Sequence, residues 1–132
     1  MSERNFSLTS TIANYPDYPY QEIKESILGK KYELSFNFIG TKRAQKLNIE
    51  YRQKNYVPNV LSFPLDDLHG EIFLCPEIAY KEAKNFDLTK EQYIAFLFIH
   101  GLLHLKGYDH GDTMEVQERR YMKKFNIANL VY

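Results

Sequence analysis

The stretch TKEQYIAFLFIHGLLHLKGYDH, residues 89–110, decides the fold. Ile94 to Ile99, Leu102, Leu103 and Leu105 leave a helix from Lys90 to Leu105 apolar on almost every side, so it is expected to be the buried central helix. Thr89 and Gln92 form a capping box at its start, and Gly107 supplies the left-handed residue that ends it. Three of the chain's four histidines fall within HGLLHLKGYDH, spaced H-x3-H-x5-H. On a helix, His100 and His104 share one face with Cβ atoms roughly 5–6 Å apart, and the reversal at Gly107 swings His110 back toward the same point. Three neutral imidazoles are the protein's share of a catalytic zinc site, one Zn2+ per chain, with the fourth position left for water. Structural zinc sites instead close all four positions, usually with cysteine.

The spacing matches the three ligands and the glycine of the metzincin signature H-E-x-x-H-x-x-G-x-x-H, but Gly101 stands where that signature has its glutamate base. A metal-activated water is consistent with this pattern; peptide hydrolysis by the metzincin route is not. The same residues satisfy H-G-x-L-H-L-x-G-Y-D-H, and on them the chain resembles the YbeY family of bacterial endoribonucleases, the rRNA maturation factors. Leu47-Asn48 with Tyr51-Arg52, then Val60-Leu61-Ser62-Phe63-Pro64, then Gly70-Glu71-Ile72 look like further blocks of that family in order. Two departures stand out. Pro58-Asn59 replaces Thr-Asp, an amide for a carboxylate, and Glu71 replaces an aspartate. The resemblance implies cleavage of single-stranded segments of ribosomal RNA precursor, with that RNA and the small ribosomal subunit or its proteins as partners. It also implies substrate contacts at Arg52 and Ser62.

Outward from the motif, alternation places strands near residues 4–10, at 34–38, at 60–63 and at 71–75. Helices are expected from Tyr20 to Leu28, from Lys42 to Lys54 with Thr41 as N-cap, from Pro76 to Phe86, and from Asp112, capped with Glu115, to about Phe125. In the second helix Ala44, Leu47 and Tyr51 should face inward, while Lys42, Arg43, Lys46, Arg52 and Lys54 make a basic outer face able to contact phosphates. The order β-α-β-α-β-β-α-α-α points to an α+β, layered α/β domain spanning residues 1–132: a four-stranded mixed sheet covered by about five helices.

Composition narrows the function. Seventeen basic residues balance seventeen acidic ones, which excludes a polyanion binder driven by net charge, so any RNA contact needs a local patch. The lone Cys75 suits a reducing compartment and reads as a buried thiol. No leader pattern and no apolar run near ~20 residues is present, so the expected location is the cytoplasm, with no membrane contact and no DNA partner. Arg52 and Asp109 are the expected catalytic residues, Arg52 neutralising phosphate charge and Asp109 acting as base or orienting a ligand imidazole. Glu71 and the Asp66-Asp67 pair are other candidate bases, while His69 reads as an exposed loop residue. Two rivals are a metal-stabilised ribosome-binding assembly factor with little nuclease activity and a metal-dependent peptidase with a displaced base.

Overall fold

The computed structural model describes residues 5–109 and 111–128. Its elements are β1 Phe6–Ser10, α1 Tyr20–Leu28, β2 Glu33–Phe38, α2 Thr41–Arg52, β3 Val60–Asp66, β4 His69–Leu74, α3 Pro76–Glu82, α4 Lys90–Lys106 and α5 Asp112–Lys124. A 3-10 turn, Ala83–Phe86, follows α3. The sheet runs β1-β2-β4-β3, with β1, β2 and β4 parallel and β3 antiparallel to β4. It is therefore the mixed four-stranded sheet expected from the alternation.

Strand alternation divides the apolar residues between two layers. Phe6, Leu8, Leu34, Phe36, Ile72 and Leu74 pack on one face with α1 and α4. Leu61, Phe63 and Phe73 join Ala44 and Leu47 of α2 on the other. Within the first of these layers α4 is sequestered: Tyr93 to Ile99 and Gly101 to Leu103 are all buried. Each fully buried leucine, isoleucine or phenylalanine there stabilises by about 1.5–3 kcal/mol. The predicted caps of α4 hold. Gln92 N donates to Thr89 Oγ1 and Thr89 N to Gln92 Oε1, both at 3.0 Å, and Gly107 ends α4 at φ 114°.

Several local expectations need correction. Gly40, not Thr41, is the N-cap of α2, and it caps with no side-chain bond. Tyr51 reaches the sheet only at its edge, its ring 5.6 Å from that of Phe63, and is 65% exposed rather than buried. The buried position on that face belongs to Asn48, whose amide donates to Tyr56 O at 3.0 Å and so fixes the chain leaving the helix. The segment 65–70 is no open loop: β3 and β4 continue into a hairpin whose turn is Asp67-Leu68, with a bulge between Pro64 and Asp66. The helix from Pro76 stops at Glu82 and tightens into the 3-10 turn. Gly111, not Asp112, is the N-cap of α5, again with no side-chain bond.

His69 also differs from its reading as a simply exposed residue. Its Nε2 lies 2.5 Å from Glu33 Oε2 and its Nδ1 2.6 Å from Asp66 Oδ1, tying β2 to the hairpin tip. Hydrogen bonding to Asp66, and then to Glu33, holds the imidazole pKa above its ordinary value. Cys75 is buried, and burial pushes its thiol upward. Among the described residues no helix is long and apolar enough to cross a membrane.

Candidate functional site

A cleft of about 710 Å3 opens between β3, α4 and the start of α5. Helical spacing and burial aim two of the predicted ligands into it. His100 and His104 lie one turn apart on α4, their Nε2 atoms 3.0 Å from each other and their ring planes at 88°. Behind them Glu118 of α5, 4% exposed, places Oε2 2.6 Å from His100 Nδ1. With the Nδ1 proton given to this carboxylate, His100 Nε2 is left as a lone pair toward the cleft. Two imidazole nitrogens converging before a buried carboxylate fit a first-row divalent metal; His110, the third expected donor, lies outside the described residues. Among the described residues, no group of three or more histidine, cysteine, aspartate or glutamate side chains is placed to hold an ion.

Arg52 lines the same cleft from the end of α2. Its Nη1 donates to Asn48 Oδ1 at 3.1 Å and to Tyr56 Oη at 3.3 Å, which orients the guanidinium and leaves its other N–H donors for a ligand. Ser62 lines the cleft too, but its hydroxyl donates to Gly101 O at 3.0 Å, joining β3 to α4. That contact accounts for the glycine in the histidine motif. A Cβ on residue 101 would stand 2.9 Å from Ser62 Oγ and 3.1 Å from Ile72 Cδ1. Position 101 faces the sheet, so a metzincin-type glutamate has no room there.

Other expected site residues stay apart. Lys42, Arg43 and Lys46 are exposed on α2 and do not line the cleft, with Arg43 lying 5.5 Å over the Phe73 ring. Asp109 is exposed and is not a lining residue, and neither are Glu71, Asp66 and Asp67. The carboxylates that do line the cleft are Glu115 and Glu118, and sequence reasoning named neither as part of the site. Their i, i+3 spacing on one face of α5 was the available signal. Asn59 lines the cleft as well; its amide donates to Glu82 Oε1 at 2.8 Å, and Tyr93 Oη donates to the same oxygen at 3.1 Å. Burial, then Glu82, raises the Tyr93 pKa, so the phenol keeps the proton it donates. Where the resemblance places an aspartate, this chain has an amide facing a carboxylate from α3.

Known proteins were compared with the chain. The family model described as Endoribonuclease YbeY matches residues 6–130. A protein named Endoribonuclease YbeY from Bdellovibrio bacteriovorus is 40% identical over 102 residues, covering 76% of this chain and 65% of its own. One of the same name from Neisseria meningitidis serogroup B is 34% identical over 145 residues, covering 95% of this chain and 86% of its own. The solution structure of TM1509 from Thermotoga maritima superposes with a TM-score of 0.59 at 27% identity, covering 91% of this chain and 88% of that one. Since the family model takes in the whole sheet, the cleft and the histidine motif, the chain belongs to the Endoribonuclease YbeY family.

Proposed function

We propose that this chain is a zinc-dependent endoribonuclease that cuts single-stranded segments of ribosomal RNA precursor in the cytoplasm. The observation that carries the reading is one cleft holding both the converging Nε2 atoms of His100 and His104 and the oriented guanidinium of Arg52. His100, His104 and His110 would hold one Zn2+, which when bound supplies a Lewis acid and a water whose pKa falls to around 7. Glu118 fixes the His100 tautomer and keeps the ring from turning away. Arg52 binds the phosphodiester and stabilises the charge that grows on it, as a bidentate, permanently charged donor can.

Ser62 holds the cleft's two walls at their spacing through its bond to Gly101 O. Lys42, Arg43 and Lys46 serve the strand outside the cleft, where exposed cations meet backbone phosphates. Asp109, being exposed, acts on the approach to the site rather than within it. The small ribosomal subunit or its proteins present the RNA.

Metal analysis of the purified protein beside digestion of single-stranded and duplex RNA, with and without chelator, tests the reading. The wild type is expected to carry about one zinc per chain and to cut only single-stranded RNA, and His104→Ala to fold, bind RNA and leave it intact. Wild-type protein that carries zinc but cuts nothing the variant spares would leave a metal-stabilised RNA-binding factor; cleavage of unstructured polypeptide would make it a peptidase.

A further inference from the structure

We infer that Phe86 is a specificity-determining residue on which the cleft stacks one unpaired nucleobase of the substrate, an assignment that rests on the ribonuclease reading above. A cluster of rings lines one wall of the cleft and reaches the candidate metal ligand, with Phe86 against both Tyr93 and Phe96, at 6.2 Å and 32° from the latter. Phe86 lies on Tyr93 at 5.0 Å between centroids and 22° between planes. Tyr93 lies on Phe96 at 5.8 Å and 13°, and Phe96 on His100 at 6.4 Å and 21°. Tyr93 and Phe96 are buried, whereas Phe86, at the end of the 3-10 turn, is 47% exposed and lines the same cleft.

A phenylalanine set against two buried rings yet left 47% exposed forgoes part of the burial that would stabilise it. It offers a flat apolar surface at fixed tilt, already stacked from behind. The same cleft is lined by Arg52 and the 53%-exposed Tyr56 that orients it. A π-face and a guanidinium lining one cleft are the two halves of nucleotide recognition, one for the base and one for its phosphate. Aromatic stacking tolerates any base, because every base has a π-face. A base inside a duplex has both faces covered by its neighbours and cannot lie on Phe86. The exposed ring of Phe86 is thus a physical source of single-strand preference, with no hydrogen bond to a base edge.

The test uses the full chain, zinc-loaded for cleavage and also metal-free for fluorescence-anisotropy binding. Short single-stranded RNA oligomers either keep every base or carry one abasic nucleotide at successive positions. Phe86→Leu keeps apolar bulk but loses the ring, Phe86→Trp keeps the ring, and thermal melting checks that each folds. Stacking of one base predicts that Phe86→Leu weakens binding and raises KM by about 5- to 150-fold, with kcat moved less. Phe86→Trp stays near wild type. At one position the abasic nucleotide costs the wild type as much as Phe86→Leu does, and costs that variant nothing more. Wild-type affinity in Phe86→Leu, or an abasic penalty equal in both proteins at every position, overturns the assignment while leaving the ribonuclease reading intact. A wild type that neither binds nor cuts any oligomer overturns both.

Discussion

Gly101→Ala sets two effects of opposite sign against each other at the closest approach of α4 to the sheet. In a helix interior the new methyl group stabilises by about 1 kcal/mol through propensity alone. Here it would sit 2.9 Å from Ser62 Oγ, 3.1 Å from Ile72 Cδ1 and 3.5 Å from Ile72 Cγ2, and Gly101 and Ile72 are both fully buried. Overpacking of this kind costs about 1–3 kcal/mol. If Ser62 swings aside, its bond to Gly101 O goes as well, at about 1 kcal/mol. The net expectation is a loss of about 1–2 kcal/mol, which at a urea m-value of about 2 kcal/mol/M lowers the unfolding midpoint by about 0.5–1 M with m unchanged. A double-mutant cycle with Ser62→Ala should show positive coupling of about 0.5–1 kcal/mol, because removing Oγ relieves half of the clash. A Gly101→Ala protein as stable as the wild type or more so, with no coupling to Ser62→Ala, would refute the close approach. The explanation for the absent glutamate would go with it.

Glu118→Ala removes the acceptor of the His100 Nδ1 proton, so competition with a chromophoric chelator should show zinc affinity 10- to 100-fold weaker, as for other carboxylates behind a metal ligand; unchanged affinity would mean the carboxylate does not orient the ring. Asn59→Asp places a second carboxylate at hydrogen-bond distance from Glu82 Oε1, and urea melts at pH 7 should show a loss of about 1–3 kcal/mol that Glu82→Gln restores; equal loss in both backgrounds would discard the repulsion. Because the folded-state pKa of His69 is raised, its ion-pair contribution is fully present below about pH 6.5 and lost as pH rises through the folded value. Asp66, whose pKa its bond to His69 lowers, contributes above the ordinary carboxylate range and loses that contribution as pH falls through its folded value. Wild type should therefore lose stability relative to His69→Gln as pH rises above about 6.5, and parallel curves would exclude the linkage.

What could be read from the chain in advance is what neighbours in sequence decide. The capping box of α4, its left-handed stop, its all-round apolar surface and the strand alternation are each set within a few residues. So is the placing of His100 and His104 on one face, which needs only helical geometry. The misread features are those set by elements far apart in the chain. Spacing from Ala44 and Leu47 predicts Tyr51 inward. The face of α2 that meets β3 and β4 is instead centred on Ala44 and Asn48, and an asparagine is buried there because it satisfies Tyr56 O and Arg52 together.

Glu118 is the instructive case, because in the sequence VQERR it reads as one more charge on a solvated helix. Nothing within its own helix distinguishes it from Glu115. Only the packing of α5 on α4 brings it to His100, 18 residues away, and leaves Glu118 4% exposed. A carboxylate buried to that degree costs several kcal/mol in desolvation unless it is hydrogen-bonded, and His100 is the partner of its Oε2. Its burial is therefore evidence about the histidine: the same contact that offsets the cost to Glu118 fixes which nitrogen of His100 bears a proton. The site's chemistry is thus specified jointly by a local motif and by one distant side chain, and substitution at either end should be felt at the other.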